Sequence, residues 1–215
     1  MEERKLYPYQ NKACWHLYRH RRQAFFAGLG SGKTAVILHV LTKLLSEGEI
    51  TRVLLVAPIA VCKAVWRQEA KEWPHTERLR FSLMVGNAKQ RIKALEELAD
   101  IYLINYESLP WLLNLHNGLP FDALVLDEST MVQSHSSVRF TGKGKRQNPK
   151  WEEGSDLPKW LPPQKGLKRF VGDFEVVYLI SGSPKPGEYL GLWSQMYCLD
   201  QGAALGRTIT SFRQE

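Results

Sequence analysis

The chain has 215 residues, 44% of them hydrophobic, and a formal net charge of +7, which is room for one well-cored domain. No run approaches the roughly 18–20 apolar residues of a membrane span, and the start, MEERKLYPYQ, is charged where an export signal carries an apolar core, so a cytoplasmic protein with no signal peptide and no membrane contact is expected. Cys14, Cys62 and Cys198 are far apart and odd in number, which argues against a disulfide framework or a zinc site and for small buried apolar roles.

In chain order, apolar runs alternate with helical patterns. AFFA (24–27) reads as the first strand and leads to a helix over 33–47. RVLLVA (52–57) precedes a helix over 60–73, RFSLMV (80–85) a helix over 88–98, and IYLI (101–104) a helix over 107–113. ALVLD (123–127) and EVVYLI (175–180) complete the strands, and a helix follows over 187–198. Apolar runs without polar alternation suggest strands buried on both faces. Strand–helix alternation implies βαβ units, so the expected fold is α/β: a three-layer, mostly parallel sheet with helices on both faces. No internal repeat is present.

Residues 141–168 break the rhythm, being rich in Gly, Pro and Lys without periodicity. Such a stretch inside a compact domain reads as a basic loop insertion rather than a domain boundary, leaving residues 1–215 as one domain. Residues 141–169 hold eight Lys or Arg against three Asp or Glu. A polyanion partner fits this excess, with Lys143, Lys145 and Arg146 as candidate phosphate contacts; an ordinary solvated basic loop fits it equally.

The segment FFAGLGSGKTAVILHV (25–40) places a glycine loop between a strand and a helix. Glycines let backbone N–H groups turn toward one anion, and the helix start adds unpaired donors and a positive dipole end. Gly28, Leu29, Gly30, Ser31 and Gly32 would form the cradle, Lys33 would reach the outer phosphates, and the Thr34 hydroxyl would join Mg²⁺. The match to G-x-x-x-x-G-K-[ST] is imperfect, because Ala27 stands at the first glycine position. A strand-to-helix turn with a chance Lys-Thr is the competing reading, and the flanking elements argue against it.

About ninety residues on, FDALVLDEST (121–130) ends an apolar strand on Asp127 and Glu128. Ligands of open α/β sheets bind at that end of the strands. Asp127 would hold Mg²⁺ through water, and Glu128 would orient or deprotonate an attacking water. Alone, Asp127 or Ser129 would serve equally well as a helix N-cap.

Six blocks in this order resemble superfamily-two helicases, most closely Swi/Snf-like ATPases. LYPYQNKACWHL (6–17) resembles the adenine-reading Q motif, AGLGSGKTA motif I, and LLVAPIAVCKAVWRQEAKEW (54–73) motif Ia, with Trp66 and Glu69 three residues apart. LINYESL (103–109) resembles the next block. LVLDEST is similar to motif II, with Ser129 and Thr130 where relatives often carry Ala and His or Asp. LISGSPKPGEYLGLWSQMYCLD (179–200) resembles motif III and its following helix and is the most specific block. The closing helix ALGRTITSFRQE (204–215) is similar to compact phage and bacterial members.

The resemblance implies the first of two RecA-type lobes, binding ATP and Mg²⁺ and hydrolysing ATP to move along nucleic acid, most simply double-stranded DNA, in a bacterial or phage-infected cell. It implies that Gln10 reads the adenine, that the residues before Gln10 pack on the base, and that Ser181, Gly182 and Ser183 couple nucleotide state to lobe motion. It implies nucleic-acid contacts at Pro58, Lys63, Asn105 and Tyr106, although Pro58 also suits a helix start and Tyr106 a packing residue. A second lobe, in a longer chain or supplied in trans, would bring the charge-stabilising arginines. A monomer with hydrolysis near background is therefore expected of these 215 residues. A non-catalytic nucleic-acid-binding module is the alternative. A small-molecule kinase has no use for the Gln10 and Ser181 blocks.

Other conspicuous residues have plainer readings. Trp66, Trp73, Trp111 and Trp193 fall in helical patterns and read as packing. The basic stretch HLYRHRR (16–22) reads as a helix end complementing its own dipole. His135 reads as a surface loop residue.

Overall fold

The first strand, Arg22–Phe26 (β1), lies beside the last, Val176–Ser181 (β6), although some 150 residues separate them. The computed structural model describes residues 4–115, 119–132, 138–141, 166–183 and 189–213. A helix at Pro8–Arg19 (α1) precedes β1, and Lys33–Ser46 (α2), Val53–Ala57 (β2), Ile59–Lys71 (α3), Phe81–Met84 (β3) and Ala88–Glu96 (α4) follow it. Then come Ile101–Asn105 (β4), Leu109–Leu115 (α5), Ala123–Asp127 (β5) and a 3₁₀ turn at Ser129–Val132. Val138–Thr141 (α6), Leu167–Phe170 (α7), Leu190–Asp200 (α8) and Ile209–Phe212 (α9) complete the helices among the described residues.

The sheet order is β1-β6-β5-β2-β4-β3, and every neighbouring pair is parallel. The expected three-layer α/β fold is therefore present. Every residue of β2, β4 and β6 is buried, because successive side chains enter two different cores. Leu54, Val56, Ile104 and Leu126 point to the core completed by α4, α5, α7 and α8. Leu55, Leu103, Val125 and Ile180 point to the core shared with α1, α2 and α3. Both cores are continuous along the sheet, so the carboxyl ends of the strands are held rigidly relative to one another.

The sequence reading misses α1 as an element and sees only its basic end. Apolar positions are sparse along it, and only Gln10 and Leu17 are buried. Pro8 at the first helical position and the Gln10 side chain, whose Oε1 accepts from Tyr7 N, start it. The closing helix is also shorter than expected. Gly206 takes φ 82°, and Thr208 caps Ser211 N, so the helix begins only at Ile209. Helix α4 begins at an Asn87–Gln90 capping box, as a helix from 88 requires, but ends two residues early where Glu97 turns extended.

The expected insertion loses its edges. Thr141 closes α6 and Leu167 opens α7, and Phe140 and Leu167 are fully buried. Lys168 Nζ stands 5.0 Å and 4.5 Å from the ring centroids of Trp193 and Tyr197, so the feet of the segment rest on α8. Residues 142–165, with Lys143, Lys145 and Arg146, lie outside the described residues, as does His135. One polar clamp ties the chain's two ends together. Arg22 donates to the carbonyls of Leu199 (2.6 Å), Phe174 (2.5 Å), Val171 (2.7 Å) and Cys198 (3.1 Å). Two of these carbonyls belong to the last turn of α8, where a cation also complements the helix dipole.

Candidate nucleotide site

Because β1, β6 and β5 are neighbours, three carboxyl ends open side by side on one edge of the sheet. The chain leaves β1 through Ala27–Gly32 and enters α2 at Lys33. Gly30 and Gly32 hold φ of 73° and 75°, a region that side chains disfavour. Space matters as well at Gly32, where an added Cβ would stand 2.2 Å from Gln10 Nε2. Gly28, Leu29 and Gly30 are exposed, while Ser31, Gly32 and Thr34 are half-buried beneath them. Lys33 Nζ donates to Ala27 O (2.7 Å) and Gly28 O (2.9 Å), folding the ammonium back over its own loop.

Helix α1 braces this loop from outside. Gln10 is 6% exposed; its Nε2 donates to Ser31 O (3.0 Å) and its Oε1 accepts from Tyr7 N (2.9 Å). Each end of the amide keeps one further hydrogen-bonding position. Tyr9 OH also donates to Ser31 O (3.1 Å). The Tyr7 and Tyr9 rings lie parallel within 6°, with centroids 5.9 Å apart, and both are exposed.

At the end of β5, Asp127 and Glu128 emerge half-buried. Trp66 Nε1 donates to Asp127 Oδ2 (3.0 Å), and among the described residues no other side chain hydrogen-bonds that carboxylate. Burial pushes the Asp127 carboxyl up to about 6; the Trp66 hydrogen bond opposes this and the neighbouring Glu128 charge reinforces it. A half-buried carboxylate short of positive partners, beside a loop bearing a Lys and a Thr, suits Mg²⁺ held through water. Glu128 sits at φ 55°, a strained position for a residue with a side chain. Tyr106 OH fixes that turn by donating to Asp127 O (2.8 Å), with Glu128 O at 3.4 Å.

Strand β6 runs between β1 and β5 and ends on Ser181, which is buried, followed by half-buried Gly182 and exposed Ser183. Ser181 Oγ lies 2.8 Å from Ser183 O and 3.4 Å from Glu128 Oε2, so one proton has two acceptors. Ser183 N donates back to Ser181 Oγ (3.2 Å). Lys33, Thr34, Asp127, Glu128 and Ser181 are thus brought to one edge by three adjacent strands.

The candidate nucleic-acid residues separate. Pro58 caps α3, and Lys63 is exposed on that helix. Tyr106 is fully buried, and Asn105, 7% exposed, spends its amide on Glu107 Oε2 (2.7 Å). Both side chains pack at the strand ends, Asn105 against Glu107 after β4 and Tyr106 against the backbone that leaves β5. The packing reading of Trp66 is incomplete, since its ring is fully buried but its N–H serves Asp127. A second unforeseen link joins motif II to α8: Ser129 Oγ donates to Gln195 Oε1 (2.8 Å), both residues being fully buried. Cys62 and Cys198 are fully buried, as read, whereas Cys14 is only half-buried; burial pushes the thiols up to about 11 at Cys14 and about 12 at Cys62 and Cys198.

A family model described as the SNF2-related domain matches residues 9–145, which span the phosphate loop and the Asp-Glu pair. The "Putative protein p41" of Acyrthosiphon pisum secondary endosymbiont phage 1 is 34% identical over 208 residues, 95% of this chain and 41% of that protein. The Sulfolobus solfataricus SWI2/SNF2 ATPase core in complex with dsDNA superposes with a TM-score of 0.71 over 99% of this chain and 39% of that one, at 20% identity. The core domain from the same organism superposes at 0.61 over 100% of this chain and 39% of that one, at 22% identity. The chain therefore spans about two fifths of the length of these relatives.

Proposed function

Since the chain belongs to the SNF2-related family of Swi/Snf-like superfamily-two ATPases, we propose that it is the first, ATP-binding lobe of a motor that hydrolyses Mg²⁺-ATP to track along double-stranded DNA. The observation that carries this reading is the convergence of Lys33, Asp127, Glu128 and Ser181 on neighbouring strand ends. Lys33 leaves its loop carbonyls for the β- and γ-phosphates, and the N–H groups of Gly30, Gly32 and the first turn of α2 line the phosphate path. Tyr7 and Tyr9 offer a flat face for adenine, and Gln10 reads the base edge with its spare amide capacity. Thr34 and Asp127 would hold Mg²⁺, which when bound would neutralise charge on the outer phosphates. Glu128 orients or deprotonates the attacking water, and Ser181 senses its carboxylate and passes the state to Ser183.

Catalysis in such a cleft needs charge stabilisation from a facing lobe. An open site screens the interactions that lower the barrier. On this reading the 215-residue lobe by itself is monomeric and hydrolyses ATP near background, and a second lobe, in the same longer protein or in trans, restores DNA-stimulated turnover. Lys63 and the basic segment containing Lys143, Lys145 and Arg146 are the proposed phosphate contacts with DNA. Calorimetry tests the nucleotide part. ATP should bind the chain in preference to GTP, and Lys33→Ala should lose about 1.5–3 kcal/mol, the worth of a charge-assisted phosphate contact. Equal binding of GTP, or an undiminished Lys33→Ala variant, would overturn it. For the motor part, steady-state phosphate release by the lobe and by a two-lobe form, with saturating duplex DNA, should show stimulation only in the latter.

A further inference from the structure

Helix α3 stands between the surface and the Asp127 carboxylate. Its inward stripe is Cys62, Trp66 and Ala70, spaced four residues apart, and all three are buried. Cys62 Sγ donates to Ala57 O and Ile104 O, both at 3.4 Å, which pins the start of the helix to the ends of β2 and β4. One turn further on, Trp66 Nε1 reaches Asp127 Oδ2 at 3.0 Å, across the neighbouring β5. A purely apolar residue could fill that volume, whereas an indole adds one donor aimed at one oxygen. That donor occupies Oδ2 and leaves Oδ1 as the oxygen Trp66 does not engage. Exposed Lys63 lies on the same helix, three residues before Trp66.

We infer that Trp66 is a positioning residue for the metal: its indole N–H fixes the rotamer in which Asp127 meets the hydrated Mg²⁺, and α3 carries that constraint to the surface bearing Lys63. The inference rests on the proposed reading of Asp127 as the metal-holding carboxylate. Partners that orient a metal-holding carboxylate matter at about 10- to 100-fold in metal affinity.

The test reads metal and nucleotide separately. A fluorescent ADP analogue is titrated into the wild-type chain, into Trp66→Phe, and into a chain with benzothienylalanine at position 66, which keeps the bicyclic shape and lacks the N–H. Each titration is run in EDTA and across a Mg²⁺ series. Both variants should match the wild-type ADP affinity in EDTA within about twofold, while the Mg²⁺ concentration giving half the metal-dependent gain rises about tenfold. An unchanged Mg²⁺ midpoint in the benzothienyl chain overturns the inference, and that chain decides the matter if Trp66→Phe fails to fold. An equal loss of affinity with and without Mg²⁺ also overturns it, because it marks a packing role only. A wild-type chain that binds ADP without any Mg²⁺ dependence removes the metal reading of Asp127, and the role of Trp66 with it.

Discussion

Replacing Asp127 by Asn should make the metal-free chain more stable while disabling its site. Burial moves the carboxyl from 3.8 to about 6. A shift of about two units corresponds to about 3 kcal/mol, at about 1.36 kcal/mol per unit. The unfolded carboxyl ionises first as pH rises, so between the two values the native state holds more protons and stability falls. The cost is absent well below 3.8 and complete above about 6. Asn is neutral throughout, and its side-chain oxygen can still accept from Trp66. Because Asp127 retains some contact with water, relaxation softens the penalty, and a gain of about 1–2 kcal/mol at neutral pH is expected. For a chain of this length that is about 3–6 °C in Tm. At about pH 4.5 only about one third of the cost has accumulated, so the advantage should shrink to about 0.5 kcal/mol. The assay is urea unfolding of both proteins in EDTA at the two pH values. A variant no more stable than wild type at neutral pH, or one whose advantage grows on acidification, would refute the reasoning.

Gly32→Ala should destabilise the chain by about 1–3 kcal/mol and weaken ADP binding, because the new methyl meets Gln10 Nε2 and the backbone holds φ 75°; chemical denaturation and the ADP titration read the two effects. Arg22→Met should cost about 3 kcal/mol or more, since it strips a charged donor from four carbonyls, and unchanged unfolding would show that the clamp is ornamental. Gln195→Leu should cost about 1–3 kcal/mol by leaving the buried Ser129 hydroxyl unpaired. Ser129→Ala added to it should recover part of that loss, and strictly additive costs in the double-mutant cycle would contradict a direct bond.

What the sequence alone determined is the local chemistry of the strands and of the loops that follow them. Unbroken apolar runs such as VLLVA and ALVLD suit strands covered by helices on both faces, so the layered parallel sheet was legible in the chain itself. Gly-x-Gly-Lys-Thr and Asp-Glu were legible as a candidate site because each follows its own strand directly, and phosphate and metal binding, as proposed, would call for those residue types at those ends. Elements whose signal is weak or cooperative escaped: α1, half exposed and started by a cap, and the late onset of α9. What only the tertiary structure decided is adjacency. Strand order brings β6 between β1 and β5, and only then do Ser181 and Glu128 meet. Contacts separated by tens of residues, such as Trp66 with Asp127 and Ser129 with Gln195, leave no periodicity in the chain. Each side chain obeys its local pattern as a helix or turn residue, and its polar partner is chosen by which helix lies over which strand.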